Sequence, residues 1–113
     1  MITVNLVLGI RGNLIAVDAA GHSGAGKRGT DIVCAAVSVL LRTTLQVLAE
    51  HSDSLIVKSK APERGVLAFR VNAFTETDLP FLQYAAIFLR EGLDFIAKEF
   101  PQAVKLEVEQ YNE

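Results

Sequence analysis

The chain contains a single cysteine, Cys34, so no internal disulfide can form. Disulfides are rare in the reducing cytosol, and this absence agrees with a cytoplasmic protein. The first residues lack the basic start, long apolar stretch and small-residue cleavage site of a secretory signal. No apolar run approaches the about 20 residues that span a bilayer. We therefore expect a cytoplasmic protein without a membrane partner.

A strong charge of either sign is also absent, because 11 basic residues stand against 13 acidic residues. A net charge of −2 gives no electrostatic footprint for a polyanion, so we expect no direct contact with nucleic acid. The two histidines and one cysteine, at positions 22, 51 and 34, make no recognisable set of metal ligands. We expect neither a metal nor a cofactor.

The apolar residues, which make up 50% of the chain, follow strand and helix periods along its 113 residues. This length fits one domain with a single core, so we expect residues 1–113 to form one domain. The predicted order is ββαββαβ, and its two hairpins indicate an α+β fold: a mainly antiparallel sheet covered by two helices. The predicted strands are 2–8, 14–19, 54–60, 66–72 and 104–108; one helix runs from a cap at Thr30 or Asp31 to about His51, and the other from the turn after Thr77 to Pro101.

A glycine-rich segment at residues 21–29 interrupts this pattern with Gly21, Gly24, Gly26 and Gly29. Four glycines in nine residues predict a mobile or tightly turned loop. The segment also matches two nucleotide motifs in part. The dinucleotide pattern lacks an acidic residue at the end of the next strand, and the phosphate-binding loop has Arg28 where a hydroxyl residue would hold magnesium. Nucleotide binding is therefore a minor alternative.

Cys34 follows the glycine segment and lies in the apolar run Ile32-Val33-Cys34-Ala35-Ala36. A cysteine in such a run is more often a small core residue than a nucleophile. If Asp31 caps the helix, however, Cys34 lies in the first turn, where free N–H groups and the helix dipole favour a thiolate. The same N–H groups could stabilise the oxyanion of an acyl-transfer reaction.

Three further side chains could assist the cysteine, and each has a simpler interpretation. A folded-back loop could bring His22 within hydrogen-bond reach of Cys34, or His22 could be a surface histidine. Ser38, one turn after Cys34, could orient the imidazole or substrate, or could bond back to a helix carbonyl. Asp31 could orient His22 or serve only as a helix cap.

These residues carry a resemblance. Gly21-His22-Ser23-Gly24, a short spacer, and the segment from Asp31 through Cys34 to Ser38 resemble the signature of the ribosomal-processing cysteine protease family Prp. The resemblance implies a cytosolic homodimer that removes the N-terminal extension of ribosomal large-subunit protein number twenty-seven. It also implies that Cys34 is the nucleophile and His22 its general base, with the glycine loop as a flap over the peptide.

This chain departs from the family pattern in the loop, where Ala25-Gly26 replaces the usual Tyr-Ala and Lys27-Arg28 adds positive charge. Two hypotheses from other classes stay open. In the first, Cys34 is packing and the chain is a non-catalytic ribosome-assembly or peptide-binding module. In the second, Cys34 is a redox sensor, although the chain has no second cysteine to resolve a sulfenic acid.

Overall fold

The computed structural model of the protein describes residues 1–21, 28–60 and 67–111, except for the side chains of residues 28–31 and Lys60. In these ranges the order of elements is ββαββαβ, which confirms the predicted α+β fold. The elements are β1 (Ile2–Gly9), β2 (Leu14–Ala20), α1 (Arg28–His51), β3 (Ile56–Lys60), β4 (Leu67–Ala73), α2 (Leu79–Glu99) and β5 (Val104–Tyr111).

The five strands form one sheet in the order β3-β4-β2-β1-β5. Both hairpins and the β2–β4 pair are antiparallel, whereas β1 and β5 are parallel. Strand β5 pairs with β1 over its whole length, from Val104 opposite Ile2 to Tyr111 opposite Gly9. The last strand is therefore longer than the sequence predicts.

One face of the sheet carries the core. Alternate residues of β1, such as Val4 and Leu6, are fully buried, as period-2 alternation requires. Both helices lay a buried stripe on this face, and removing one such leucine side chain would cost about 2–5 kcal/mol. The helical stripes consist of Val33, Val37, Leu41 and Leu48 of α1 and of Leu82, Ala86, Leu89 and Leu93 of α2.

Helix α1 has already begun at Arg28, so the predicted cap at Thr30 or Asp31 is wrong. Both residues lie inside the helix, and so does Gly29. The physical reason is that Thr and Asp are tolerated in a first turn as well as at a cap, and a carboxylate there suits the positive end of the helix dipole.

Asp78, at the start of α2, ties the two helices together. Its side chain is almost fully buried and accepts hydrogen bonds from the hydroxyls of Ser52 and Ser54 at 2.8 and 2.7 Å. It also accepts bonds from the backbone N–H and the hydroxyl of Thr75, at 2.9 and 3.1 Å. The Thr75 N–H first, then the Ser54 hydroxyl, lower the pKa of Asp78 to about 2. Because Ser54 is held here, β3 begins at Ile56 and not at the predicted residue 54.

The outer side of the helices is unusually apolar. The segment Ile32–His51 of α1 has a mean hydropathy of 1.9 and is long and apolar enough to cross a membrane by length and composition alone. The expectation that no apolar segment approaches the length of a membrane span is therefore wrong. Core helices of soluble proteins meet the same criterion, and this helix packs Val33 and Val37 on the sheet. Only 22% of the apolar window is buried, which leaves much apolar surface outside the core.

Candidate active site

Cys34 lies in the second turn of α1, half-buried, where the helix crosses one end of the sheet. It lines a cavity of about 30 Å³ together with residues from three strands. A space of this size holds a water molecule or a small chemical group, not a peptide. A peptide that reaches the sulfur would therefore lie across the surface above it. The strand residues at this cavity are Ile2, Ala19 and Leu67.

The prediction that Cys34 lies in the first turn is wrong, because α1 has begun by Arg28. In the helical pattern the N–H of Cys34 bonds to the carbonyl of Thr30 and is not free for an oxyanion. However, side chains on a helix point toward its N-terminus and cover the preceding turn. The sulfur of Cys34 therefore points back toward the first turn, where N–H groups have no partner within the helix.

Ser38 shares the face of Cys34 and lines the same cavity. Thr44 of the same helix donates its hydroxyl to the carbonyl of Leu40 at 2.8 Å, the bond that serines and threonines often form within helices. Among the described residues Ser38 forms no such bond and has no other hydrogen-bond partner. Its hydroxyl is available to a group that enters from outside the helix.

Gly21 is the last described residue before the segment that contains His22. Its φ of +108° lies in the region that favours glycine, and a Cβ there would overlap the carbonyl oxygen of Met1. The neighbouring Ile2 and Ala19 line the cavity beside Cys34. Gly21 therefore follows β2 close to this cavity, in a conformation and a space that suit only glycine.

The position of His22 and its distance from Cys34 lie outside the described residues, as do Gly24 and Gly26 and the side chain of Asp31. The interactions predicted for these side chains and the flap stay predictions. Gly29 belongs to α1, so its assignment to the flexible loop is wrong. Within the helix it is the second residue, where a glycine costs less than it would in the middle.

His51, the other histidine, does not compete with His22 as a base. It lies at the end of α1, 17 positions after Cys34, which corresponds to about 25 Å along a helix axis. There its ring stacks on Phe81 with 3.7 Å between centroids, and its Nε2 faces Asp78 at 3.7 Å. His51 therefore lies too far along α1 to serve Cys34 of the same chain, and the role of His22 as the base stays a prediction.

Sequence reasoning missed Arg42. Cys34, Ser38 and Arg42 follow one another at four-residue intervals on α1, and all three line the same cavity. The interval was visible in the sequence, but it also fits a surface arginine with no function. Among the residues described at this cavity, Arg42 is the one that carries charge.

Among the described residues, no group of three His, Cys, Asp or Glu side chains could hold a metal ion. The site instead combines a half-buried thiol, a hydroxyl without a partner in the described chain, and an arginine on one helical face. These features define the class: a small α+β protein with a thiol-based site at one end of its sheet. The family profile described as cysteine protease Prp matches residues 1–105, and the chain belongs to this family.

Solved structures show the same fold. SMU.848 from Streptococcus mutans is 26% identical with a TM-score of 0.80, and the match covers 98% of this chain and 96% of that one. The essential ribosomal processing protease Prp from S. aureus, in complex with a substrate peptide, is 22% identical with a TM-score of 0.79, covering 96% and 100% of the two chains. A comparison with curated proteins finds no match.

Proposed function

We propose that this protein is a cytoplasmic cysteine endopeptidase that removes the N-terminal extension of ribosomal large-subunit protein number twenty-seven. Membership of the cysteine protease family supports the reaction type. The similar S. aureus proteins support the substrate class, since one holds a substrate peptide and another a covalently linked product peptide. Residues 1–113 would act as one proteolytic domain on a peptide, without direct contact to nucleic acid.

The observation that carries this proposal is the arrangement of Gly21 and Cys34. His22 directly follows Gly21, and Gly21 comes two residues after Ala19, which lines the same cavity as Cys34. His22 would take the proton of the Cys34 thiol as the sulfur attacks the scissile carbonyl carbon. First-turn N–H groups would stabilise the oxyanion while the peptide C–N bond is still intact.

The second half of the reaction regenerates the thiol. As the tetrahedral intermediate collapses, the C–N bond breaks and His22 gives its proton to the leaving amine, which leaves a thioester on Cys34. His22 then takes a proton from water, whose oxygen attacks the thioester. The C–S bond breaks, His22 returns this proton to the Cys34 sulfur, and the extension leaves as a carboxylic acid that loses its proton to water. The Ser38 hydroxyl would orient the imidazole or the peptide in both steps, and Asp31 is a candidate to orient His22.

Cleavage of a peptide that spans the extension tests this function. We expect mass spectrometry to detect one cut and Cys34→Ala to abolish it, because alanine suits the helix and removes only the nucleophile. A urea titration of Cys34→Ala should show an intact fold. If wild type and Cys34→Ala turn the peptide over equally, the protease proposal is wrong and a non-catalytic peptide-binding module becomes the better explanation.

The pairing of the two catalytic residues has its own test. We expect His22→Ala to lose peptide cleavage and to slow the alkylation of Cys34 by iodoacetamide near neutral pH, because the thiolate loses its ion-pair partner. His51→Ala is the matched control, since that histidine lies at the far end of α1. An alkylation profile over pH that is the same in wild type and His22→Ala would show that the two residues do not interact.

We also propose that two copies associate through the outer side of the helices. An apolar groove of about 560 Å³ runs between α1 and α2, and Val47, Tyr84 and Phe88 line it. Tyr84 and Phe88 are 72% and 68% exposed, which is unusual for large aromatic side chains on a monomer. The described side chains that line the groove carry no charge, so they suit an equally apolar surface such as a second copy of the same helices.

Sedimentation analysis tests the dimer. We expect the wild type to sediment as a dimer at micromolar concentration and Phe88→Glu to sediment as a monomer that remains folded, because the charge would be buried without a partner. Ile10→Glu is the matched control, since Ile10 is 67% exposed in the β1–β2 turn. A wild type that is monomeric throughout, or that binds neutral lipid vesicles through this groove, would contradict the dimer.

A further inference from the structure

A small cleft opens at the end of the sheet that lies away from Cys34. Its volume is about 360 Å³, a size typical of a pocket for a small ligand. Arg70 of β4 lines this cleft, whereas Leu67 of the same strand lines the cavity beside Cys34. Three strand residues correspond to about 10 Å, so the cleft is separate from the thiol site.

A bulge in β2 accounts for the cleft. The pairing of β1 with β2 shifts register at one point, and Ile15 is the extra residue of β2 there. Such a bulge bends its strand and increases the local twist. On the other side of β2, pairing with β4 ends at Ala16, opposite Arg70, although β4 continues to Ala73. In the described sheet, the edge of β4 that faces β2 is therefore unpaired beyond Arg70.

This unpaired edge presents backbone hydrogen-bonding groups in strand geometry. Residues Val71–Ala73 pair with β3 on one side and line the cleft on the other. An extended peptide is the ligand whose own N–H and C=O groups match the spacing of such an edge. The side chains of Ile15 and Phe74 also line the cleft and give it apolar walls for the side chains of a peptide.

Three polar side chains at the cleft have no hydrogen-bond partner in the described chain: Arg70, Asn72 and Tyr111. The guanidinium carbon of Arg70 lies 5.8 Å from the centre of the Tyr111 ring. A cation–π contact of this kind holds the cation without using its N–H donors. The donors of Arg70 therefore stay available to an acceptor that enters the cleft.

A second cation adds to the positive charge of Arg70. Lys58 of β3 stands directly opposite Arg70, so both side chains lie on the same face of the sheet. Both are exposed, and neither forms an ion pair with a described residue, although Arg11 and Lys98 each pair with a carboxylate. Like charges at facing positions destabilise a sheet, and a bound anion would relieve this repulsion.

We propose that this cleft binds a short peptide by its C-terminal carboxylate. The planar fork of Arg70 donates two parallel hydrogen bonds to the carboxylate. The residues before the carboxylate extend along the unpaired edge of β4 and continue the ladder there. This binding site requires no chemistry at Cys34, so it is independent of the proposed peptidase function.

Titration with two matched peptides tests the proposal. N-acetyl-trialanine as the free acid and as the C-terminal amide differ in the charge of that end alone. In NMR spectra of the ¹⁵N-labelled protein, we expect the backbone amide signals of Ile15 and of Val71–Ala73 to shift. The free acid should bind about three- to fivefold more tightly than the amide, as a partly exposed charge pair allows. Arg70→Gln should remove this difference, and Arg90→Gln, an exposed arginine of α2, is the matched control that should keep it.

N-methylation of the peptide separates strand pairing from simple anion binding. Successive residues of a strand direct their N–H groups to opposite edges, so one of two neighbouring N-methyl peptides should bind several-fold more weakly than the other. Equal binding of acid and amide, or a preference that survives in Arg70→Gln, would overturn the carboxylate site. Inorganic phosphate that binds as tightly as the free acid would overturn the peptide ligand. Shifts confined to the residues around Cys34 would overturn the cleft as the site.

Discussion

Replacing Gly21 with alanine should impair catalysis more than any other conservative change outside the catalytic pair. Gly21 has a φ of +108°, a conformation that L-residues adopt at a cost of about 1–2 kcal/mol. A Cβ at this position would overlap the carbonyl oxygen of Met1 and also lie 3.5 Å from the Cα of Ile2. The distance to Ile2 is an ordinary van der Waals contact, but the carbonyl oxygen of Met1 is a backbone atom and cannot rotate away as a flexible side chain can.

The overlap forces either the start of β1 or the backbone at Gly21 to move. Overpacking of this kind costs about 1–3 kcal/mol, so the total for Gly21→Ala is about 2–5 kcal/mol. The lower entropy of alanine in the unfolded chain returns about 0.4–1 kcal/mol of this. A small domain with about 5–15 kcal/mol of stability still folds after such a loss. We expect the displacement to reach His22, because it is the next residue in the chain.

Urea unfolding and peptide cleavage, measured on the same samples of Gly21→Ala, separate a loss of stability from a loss of catalysis. Urea unfolding followed by circular dichroism reports stability, which suits a chain without tryptophan. Peptide cleavage reports kcat/KM, for which we expect a loss of about tenfold or more, since small displacements of a catalytic group are costly. Gly12→Ala is the control, because Gly12 also has a positive φ of +77° but has nothing within 4 Å of an added Cβ.

The control variant Gly12→Ala separates the cost of a positive φ from the effect of moving the backbone near the candidate site. Gly12→Ala should lose about 1–2 kcal/mol of stability and keep full activity. If Gly21→Ala cleaves the peptide as fast as wild type does, the conformation of Gly21 does not position His22. If both variants lose activity in proportion to stability, the effect at Gly21 is a general one on the fold.

Two other predictions concern single polar side chains. Because the pKa of Asp78 is lowered to about 2, its carboxylate stabilises the fold above its ordinary value of 3.8, and this stability should disappear as pH falls toward 2. Asp78→Asn should lower the urea midpoint at pH 7 and flatten this acid dependence; an acid dependence like that of wild type would contradict the assignment. Ser38→Ala should lower kcat/KM and change stability by no more than about 0.5 kcal/mol, because its hydroxyl has no partner in the described chain. A loss of stability without a loss of activity would make Ser38 structural.

The strands and hairpins could be predicted because local pattern decides them. Ile2, Val4 and Leu6 alternate with polar neighbours, and all three are buried under the helices. The start of β3 could not be predicted in the same way. Ser54 is kept out of the strand by Asp78, which is 24 residues away in the sequence. A contact between such distant residues leaves no periodic signal.

The candidate site likewise combines features that the local sequence pattern predicts with features that it does not. The spacing of Cys34 and Ser38 predicts that they share a helical face, and the structure confirms that both line one cavity. The start of α1 was missed because Gly29, Thr30 and Asp31 each suit a cap or a first turn, and the choice depends on how the preceding segment packs. The position of Arg42 at this cavity was missed because spacing alone cannot tell an arginine beside a cavity from a solvated one.

The most direct test of the central claim uses the single cysteine of the chain. Partial alkylation with iodoacetamide produces samples in which intact mass gives the modified fraction, and modification of thiols can occur only at Cys34. We predict that the rate of cleavage of the extension peptide falls in proportion to the modified fraction and reaches zero at full modification. We also predict that the peptide slows the modification, because it lies across the sulfur. A fully alkylated protein that still cleaves the peptide at the wild-type rate would contradict the claim that Cys34 is the nucleophile.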